Sequence, residues 1–159
     1  MNKKPSIVNE EPKPIDLIRT WEERGYSIGF TNGCFDIIHP GHISLLHSAK
    51  NECDKLVVGL NSDSSVAKLK GKDRPIQKEN ARATVLLALK DVDVVIIFNE
   101  ETPIKLIELI KPDVLIKGGD YKIDEIVGAE FIQQNGGRVV LSDYKKGHST
   151  SDIIKKIES

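Results

Sequence analysis

Five short apolar runs, "YSIGFTN", "DKLVVGLN", "VDVVIIF", "PDVLIKG" and "GRVVLSD", recur along this chain with helix-length segments between them. Each run is apolar at nearly every position, the pattern of a strand buried on both faces. The segments "GHISLLHSAKNE", "ENARATVLLALKD", "TPIKLIELIK" and "GAEFIQQNG" carry helical spacing instead. Strands and helices alternating in this way predict one α/β architecture. It is a single doubly wound, Rossmann-like domain whose five-stranded sheet is mainly parallel. Ligands of such sheets bind beyond the C-terminal ends of the strands, so the residues after each run matter most.

A chain of 159 residues is long enough for one core of this kind. Its 39% hydrophobic and 30% charged content excludes both a disordered tail and a membrane bundle. The formal net charge of -1 argues against a general nucleic-acid binder, although local basic clusters suit a phosphorylated ligand. No apolar run nears the roughly 20 residues of a membrane span. The opening "MNKKPSIVNEEPKP" lacks the apolar stretch of a secretory leader. Cys34 and Cys53 are too few for a disulfide framework. These features predict a cytoplasmic enzyme or binding domain, with no membrane partner. Residues 1–13, polar and proline-bearing, read as a flexible N-terminal arm, and residues 14–159 as the domain. The domain opens on "PIDLIRTWEERG", where Ile15, Ile18 and Trp21 share a helical face and Gly25 ends the helix.

After the first run comes Thr31-Asn32-Gly33-Cys34-Phe35-Asp36, and then His39-Pro40-Gly41-His42 at the start of an amphipathic helix. Pro40 suits the first helical turn, where a missing N–H is no loss. His39 then falls near the N-cap, with His42 one turn inside on nearly the same face. A helix N-terminus presents free N–H groups and the positive end of a dipole, both suited to phosphate. Two imidazoles there can donate hydrogen bonds as charge builds on phosphate oxygens. Gly41 lets a ligand approach the backbone. Packing histidines, or a zinc site using Cys34, His39 and His42, are the competing readings. Zinc is disfavoured because further ligands at the usual spacing are missing.

"GCFDIIHPGH" resembles the G-[ST]-F-D-x-x-H-x-G-H signature of the cytidylyltransferase-like nucleotidyltransferases. Cys34 stands where that family often has Ser or Thr, and its backbone N–H can serve equally. The resemblance implies that His39 and His42 contact the nucleotide phosphates and stabilise the transition state of nucleotidyl transfer. It also implies nucleotide binding by Thr31, Asn32, Gly33, Cys34, Phe35 and Gly41.

Similar assignments follow at later strand ends. "GLNSDSSVAKLKGKDRPI" resembles the basic segment that family members close over the triphosphate, with Lys70 as the expected catalytic contact and Lys72 and Arg74 as weaker ones. Asn61 and Asp63 are candidates for ligand hydroxyls or a cation, and Asn61 or Ser62 for a helix cap. Arg82, in the first turn of "ENARATVLLAL", either reaches the phosphates or forms a surface ion pair. "KGGDY" resembles the corresponding loop of heptose 1-phosphate adenylyltransferases, both free-standing and fused to a sugar kinase. It nominates Lys117, Gly118 and Asp120 for the nucleotide and Tyr121 for substrate. "GHSTS" stands where the family has G-x-S-T-T. Ser149 or Thr150 caps the last helix there, and Ser149, Thr150 and Ser151 aim at phosphate. Glycerol-phosphate cytidylyltransferases carry an arginine three residues before that glycine, where this chain has Tyr144.

The resemblance therefore implies an adenylyltransferase joining ATP and a heptose 1-phosphate into ADP-heptose and pyrophosphate, supplied by a separate kinase and phosphatase. Mg²⁺ would come with ATP, held mainly by the triphosphate with help from Asp36. A homodimer is implied by the resemblance alone. The alternatives are a cytidylyltransferase for glycerol or another polyol phosphate, and a non-catalytic nucleotide-binding regulatory domain.

Overall fold

The computed structural model describes residues 13–119, 121–143 and 147–159. The expected arm, apart from Lys13, lies outside them, as does Asp120. Each apolar run forms a strand: β1 (Ile28–Gly33), β2 (Lys55–Asn61), β3 (Val94–Phe98), β4 (Val114–Gly118) and β5 (Arg138–Ser142). Every pairing is parallel, and the order across the sheet is β3-β2-β1-β4-β5. The doubly wound α/β fold is thus observed, with a fully parallel sheet.

The helices are α1 (Pro14–Glu23), α2 (Pro40–Asn51), α3 (Asp63–Lys70), α4 (Glu79–Ala88), α5 (Ile104–Ile110), α6 (Ala129–Gln134) and α7 (Thr150–Glu158). Pro14 occupies the first turn of α1 and Pro40 that of α2, as a residue without an N–H favours. Ser62 caps α3 through the Ser65 N–H, and Ser149 caps α7 through the Asp152 N–H. Aspartates at the opposite edge of the sheet tie each strand start to its neighbour. Asp54 Oδ2 accepts from Ser27 N, Asp93 Oδ2 from Leu56 N and Asp113 Oδ2 from Ile28 N, all at 2.7–2.8 Å.

Two apolar cores flank the sheet. On one face α1, α5 and α6 pack Ile18, Trp21, Ile107, Ile110 and Ile132 against Ile28, Phe30 and Val57. On the other, α2 and α4 pack Leu46, Ala49, Ala83 and Leu86 against Leu56, Val58 and Ile116. Each fully buried Leu, Ile, Val or Phe among them contributes about 1.5–3 kcal/mol. Covering both faces is what makes β1 to β4 continuously apolar, while the edge strand β5 stays partly exposed. Helices change face where the chain leaves β3 and crosses to β4 on the far side of β1. The crevice of an open α/β sheet lies at that reversal, between the C-terminal ends of β1 and β4.

Candidate active site

A cleft of about 720 Å³ opens at that place. It is lined by the ends of β1 (Asn32, Gly33) and β4 (Lys117, Gly118), by the start of α2 (His39, Gly41, His42) and by the start of α7 (Ser149, Thr150, Ser151).

The turn out of β1 is unusual. Phe35 adopts φ 45°, a left-handed conformation that costs a residue with a Cβ about 1–2 kcal/mol. Its ring is buried and lies 5.0 Å from that of His42, so core packing offsets the cost. Next in the chain, the Asp36 carboxylate is fully buried and accepts from Ile76 N, Gln77 N and Arg74 Nε at 2.8–2.9 Å. Burial alone would raise its pKa. These three donors outweigh burial and hold it below the ordinary carboxylate value.

His39 is the N-cap of α2, and its Nδ1 accepts from Gly41 N at 3.1 Å. His42 Nδ1 accepts from His39 N at 3.3 Å. A neutral imidazole that accepts at Nδ1 carries its proton on Nε2. The helix end therefore sets the tautomer of both rings, which stack 3.7 Å apart with planes 25° from parallel. Burial pushes the His42 pKa down to about 4, with the His39 charge as a lesser cause. Burial, then the charge of His148, lowers that of His39 as well. Both are neutral Nε2–H donors at neutral pH. A side chain at Gly41 would meet His39 Cε1 at 2.9 Å and His148 Cβ at 3.4 Å, so this position has no room for a Cβ. The α2 and α7 starts are tied together where Thr150 Oγ1 donates to the Ile37 carbonyl at 3.1 Å. Two positive helix ends thus converge on one place.

Lys70, at the last position of α3, and Lys117 bring ammonium groups to the cleft. Burial lowers the Lys117 pKa, and its Nζ sits 5.6 Å from the centre of the Tyr121 ring. Burial raises the Cys34 pKa against the pull of Lys70, Arg82 and Arg74, so this residue presents backbone rather than a reactive thiolate.

Several expected residues are placed otherwise. Arg82 is neither a surface ion pair nor a cleft residue. It is 1% exposed, and its guanidinium donates to the carbonyls of Gln77, Cys34 and Asn61 and to Asp63 Oδ1 at 2.7–2.9 Å. It clamps the ends of β1 and β2 together, and Asp63 serves as its partner rather than lining the cleft. Thr31 is buried behind the cleft wall, and Lys72 lies outside the lining. Arg74 and Asn61 do line it, although Arg74 Nε is paired with Asp36. Asp36 does not fit a metal ligand, since both carboxylate oxygens are already taken by protein donors. Among the described residues no group of His, Cys, Asp and Glu is gathered to hold a metal. Lys68 and Lys70 both sit on α3, which ends at Gly71.

Glu101, Thr102 and Pro103, after β3, and Glu125, Ile126 and Val127, after β4, also line the cleft. The first three follow a strand end like the others, so the same rule would have found them. The second three follow a long connection and carry no local signal. Among the described residues no helix is long and apolar enough to cross a membrane.

The cytidylyltransferase-like family profile matches residues 30–156. The chain is 56% identical over 142 residues to the bifunctional protein HldE of Paramagnetospirillum magneticum, covering 89% of this chain and 29% of that protein. It is 52% identical over 143 residues to the bifunctional protein HldE of Caulobacter vibrioides, covering 90% of this chain and 30% of that one. It therefore spans about a third of the length of these relatives. Among solved structures, it resembles the lipopolysaccharide core biosynthesis protein of Thermoplasma volcanium, with TM-score 0.61 and 34% identity. That match covers 78% of this chain and all of the other. The pantoate-beta-alanine ligase of Francisella tularensis, at 17% identity and TM-score 0.59 over 96% of this chain and 77% of that one, shares the fold.

Proposed function

Because the chain belongs to the cytidylyltransferase-like family, we propose that it is a nucleotidyltransferase joining ATP to a heptose 1-phosphate, giving ADP-heptose and pyrophosphate. The observation that carries this reading is the pair of Nε2–H donors held side by side where two helix N-termini converge. The resemblance of "KGGDY" and "GHSTS" to heptose 1-phosphate adenylyltransferases supports the choice of ATP and heptose. So do relatives that match this chain over only part of a bifunctional protein.

An anionic oxygen of the sugar phosphate attacks the α-phosphorus in line. The new P–O bond forms as the bond from that phosphorus to the oxygen bridging the β-phosphate breaks, and pyrophosphate leaves with the electron pair. The nucleophile is already ionised, so no general base is needed. The barrier lies in bringing two anions together in line, so catalysis is positioning and charge stabilisation. His39 and His42 donate to phosphate oxygens as charge shifts, and Lys70 and Lys117 lower the repulsion between the substrates. The convergent ends of α2 and α7, with the hydroxyls of Ser149, Thr150 and Ser151, bind the remaining oxygens. Mg²⁺ would be held mainly by the triphosphate and enter with it as part of the substrate.

Pyrophosphate release, measured with ATP, CTP, GTP and UTP against heptose 1-phosphates and glycerol phosphate, tests the reading. Fastest release is expected with ATP and a heptose 1-phosphate. Faster release with CTP and a polyol phosphate would replace the substrate assignment. Binding without release from any pair would leave a nucleotide-binding domain.

A further inference from the structure

The cleft contains a third imidazole. His148 lines it from the residue just before the Ser149 cap of α7. Its ring centre lies 6.3 Å from that of His39, with the planes 20° apart. His42, His39 and His148 thus form one stack that bridges the two helix starts. The bridge is fixed at both ends: the Thr150 hydroxyl donates to the Ile37 carbonyl, and Gly41 leaves just the space that the His39 and His148 side chains fill.

The three rings differ in one respect. His39 and His42 each commit Nδ1 to the end of α2. His148 is half-buried, and among the described residues neither of its nitrogens has a hydrogen-bond partner. A positive charge on His148 opposes one on His39, after burial the second cause of the lowered His39 pKa. An anion seated against the rings reverses that sign. The other charges lining the cleft direct such an anion here. Lys70 at the end of α3 and Lys117 on β4 attract it, Glu101 after β3, Glu125 after β4 and Asp143 after β5 repel it, and Arg74 and Asp36 are paired with each other.

We propose that His148 is a third phosphate-binding histidine, gripping the polyphosphate of the nucleotide from the α7 end of the histidine stack and setting affinity more than rate. The assignment rests on the cleft being the nucleotide site. Donors locked in place before the reaction act where charge develops, which is the position of His39 and His42. A ring free to reorient follows the phosphate equally well in ground and transition states, and such uniform binding appears in KM.

The test is calorimetric titration of wild type, His148→Ala and His148→Lys with MgATP and with tripolyphosphate, alongside adenosine binding by NMR and steady-state kinetics. For His148→Ala, affinity for MgATP and tripolyphosphate should fall by a common factor of about tenfold to a hundredfold, as for a lost hydrogen bond to a charged group. KM for ATP should rise by the same factor. Adenosine binding, melting temperature and kcat at saturating ATP should stay within about threefold or a few degrees. His148→Lys, which restores a cation without a ring, should recover affinity to within about threefold. Unchanged affinity in the alanine variant would overturn the assignment. So would an equal loss for adenosine, or no recovery by lysine in a folded protein, since both point to ring packing alone. If wild type itself binds neither MgATP nor tripolyphosphate, the nucleotide reading of the cleft falls and takes this one with it.

Discussion

The His39 and His42 rings stack 3.7 Å apart, and each gives its Nδ1 to the same helix end. One side chain therefore does two jobs: Nδ1 caps the helix, and Nε2–H faces the cleft. Asparagine separates them, because its amide oxygen caps where Nδ1 does but reaches no further. His39→Asn should keep its melting temperature within a few degrees, since asparagine is a favoured cap. Its turnover should fall by about 10²–10³, the loss expected for one donor to developing charge. Turnover near that of wild type, in the pyrophosphate-release assay, would remove His39 from the chemistry.

The same burial makes the folded protein sensitive to acid. The His42 pKa is about 4 when folded and 6.5 when unfolded. The unfolded chain thus binds more protons between those values. Stability is fully present above pH 6.5 and is lost as pH falls toward 4. His39 shifts in the same direction. Asp36, with its lowered pKa, loses its contribution only below the ordinary value of 3.8. Thermal melts from pH 8 to 4.5 should show a declining melting temperature in wild type and a flatter profile in His42→Asn. Parallel profiles would mean that the imidazole is not desolvated.

Arg82 offers a test of the scaffold apart from the chemistry. Its four hydrogen bonds join carbonyls from two strand ends and the loop before α4. Arg82→Met would leave these carbonyls and Asp63 without their donor, at a cost of about 3–5 kcal/mol for a broken buried network. Arg82→Lys should rescue little, because one ammonium cannot reproduce a planar fork. Chemical denaturation of both variants measures this directly. A loss under 1 kcal/mol in either would show that the clamp is dispensable.

The sheet was legible because strands buried on both faces are written as unbroken apolar runs, and α2 because Pro40 marks its first turn. The convergence of α2 and α7 was legible only as the sum of two local signals, since Thr150 and Ile37 meet across 113 residues. Arg82 misled because an arginine in an amphipathic helix normally faces water. The carbonyls that justify its burial lie 48 and 21 residues away at Cys34 and Asn61. Asp36 misled likewise, because the amides that occupy it come from Ile76 and Gln77. Local pattern shows which groups exist near a strand end. It does not show which of them are already satisfied by a distant segment.

Lys68 and Lys70 separate a working cation from a solvated one on the same helix. Both lie in the last turn of α3 and both are exposed, yet only Lys70 lines the cleft. Gly71 follows at φ 108°, a conformation that strains any residue with a Cβ, and ends α3 directly after Lys70. Leu69, 49% exposed, is a weak anchor for this last turn. Little apolar surface holds the turn down, and a triphosphate would draw the Lys70 ammonium inward at small cost. Lys70→Ala should therefore reduce turnover by about tenfold to a hundredfold, while Lys68→Ala stays within about twofold. Gly71→Ala should shift turnover in the same direction, by straining the helix end that carries Lys70. MgATP should also slow trypsin cleavage after Lys70 and Lys72 in wild type, and less so in Lys70→Ala. Equal turnover in the two lysine variants, with cleavage unaffected by nucleotide, would leave phosphate binding to the histidines and helix ends alone.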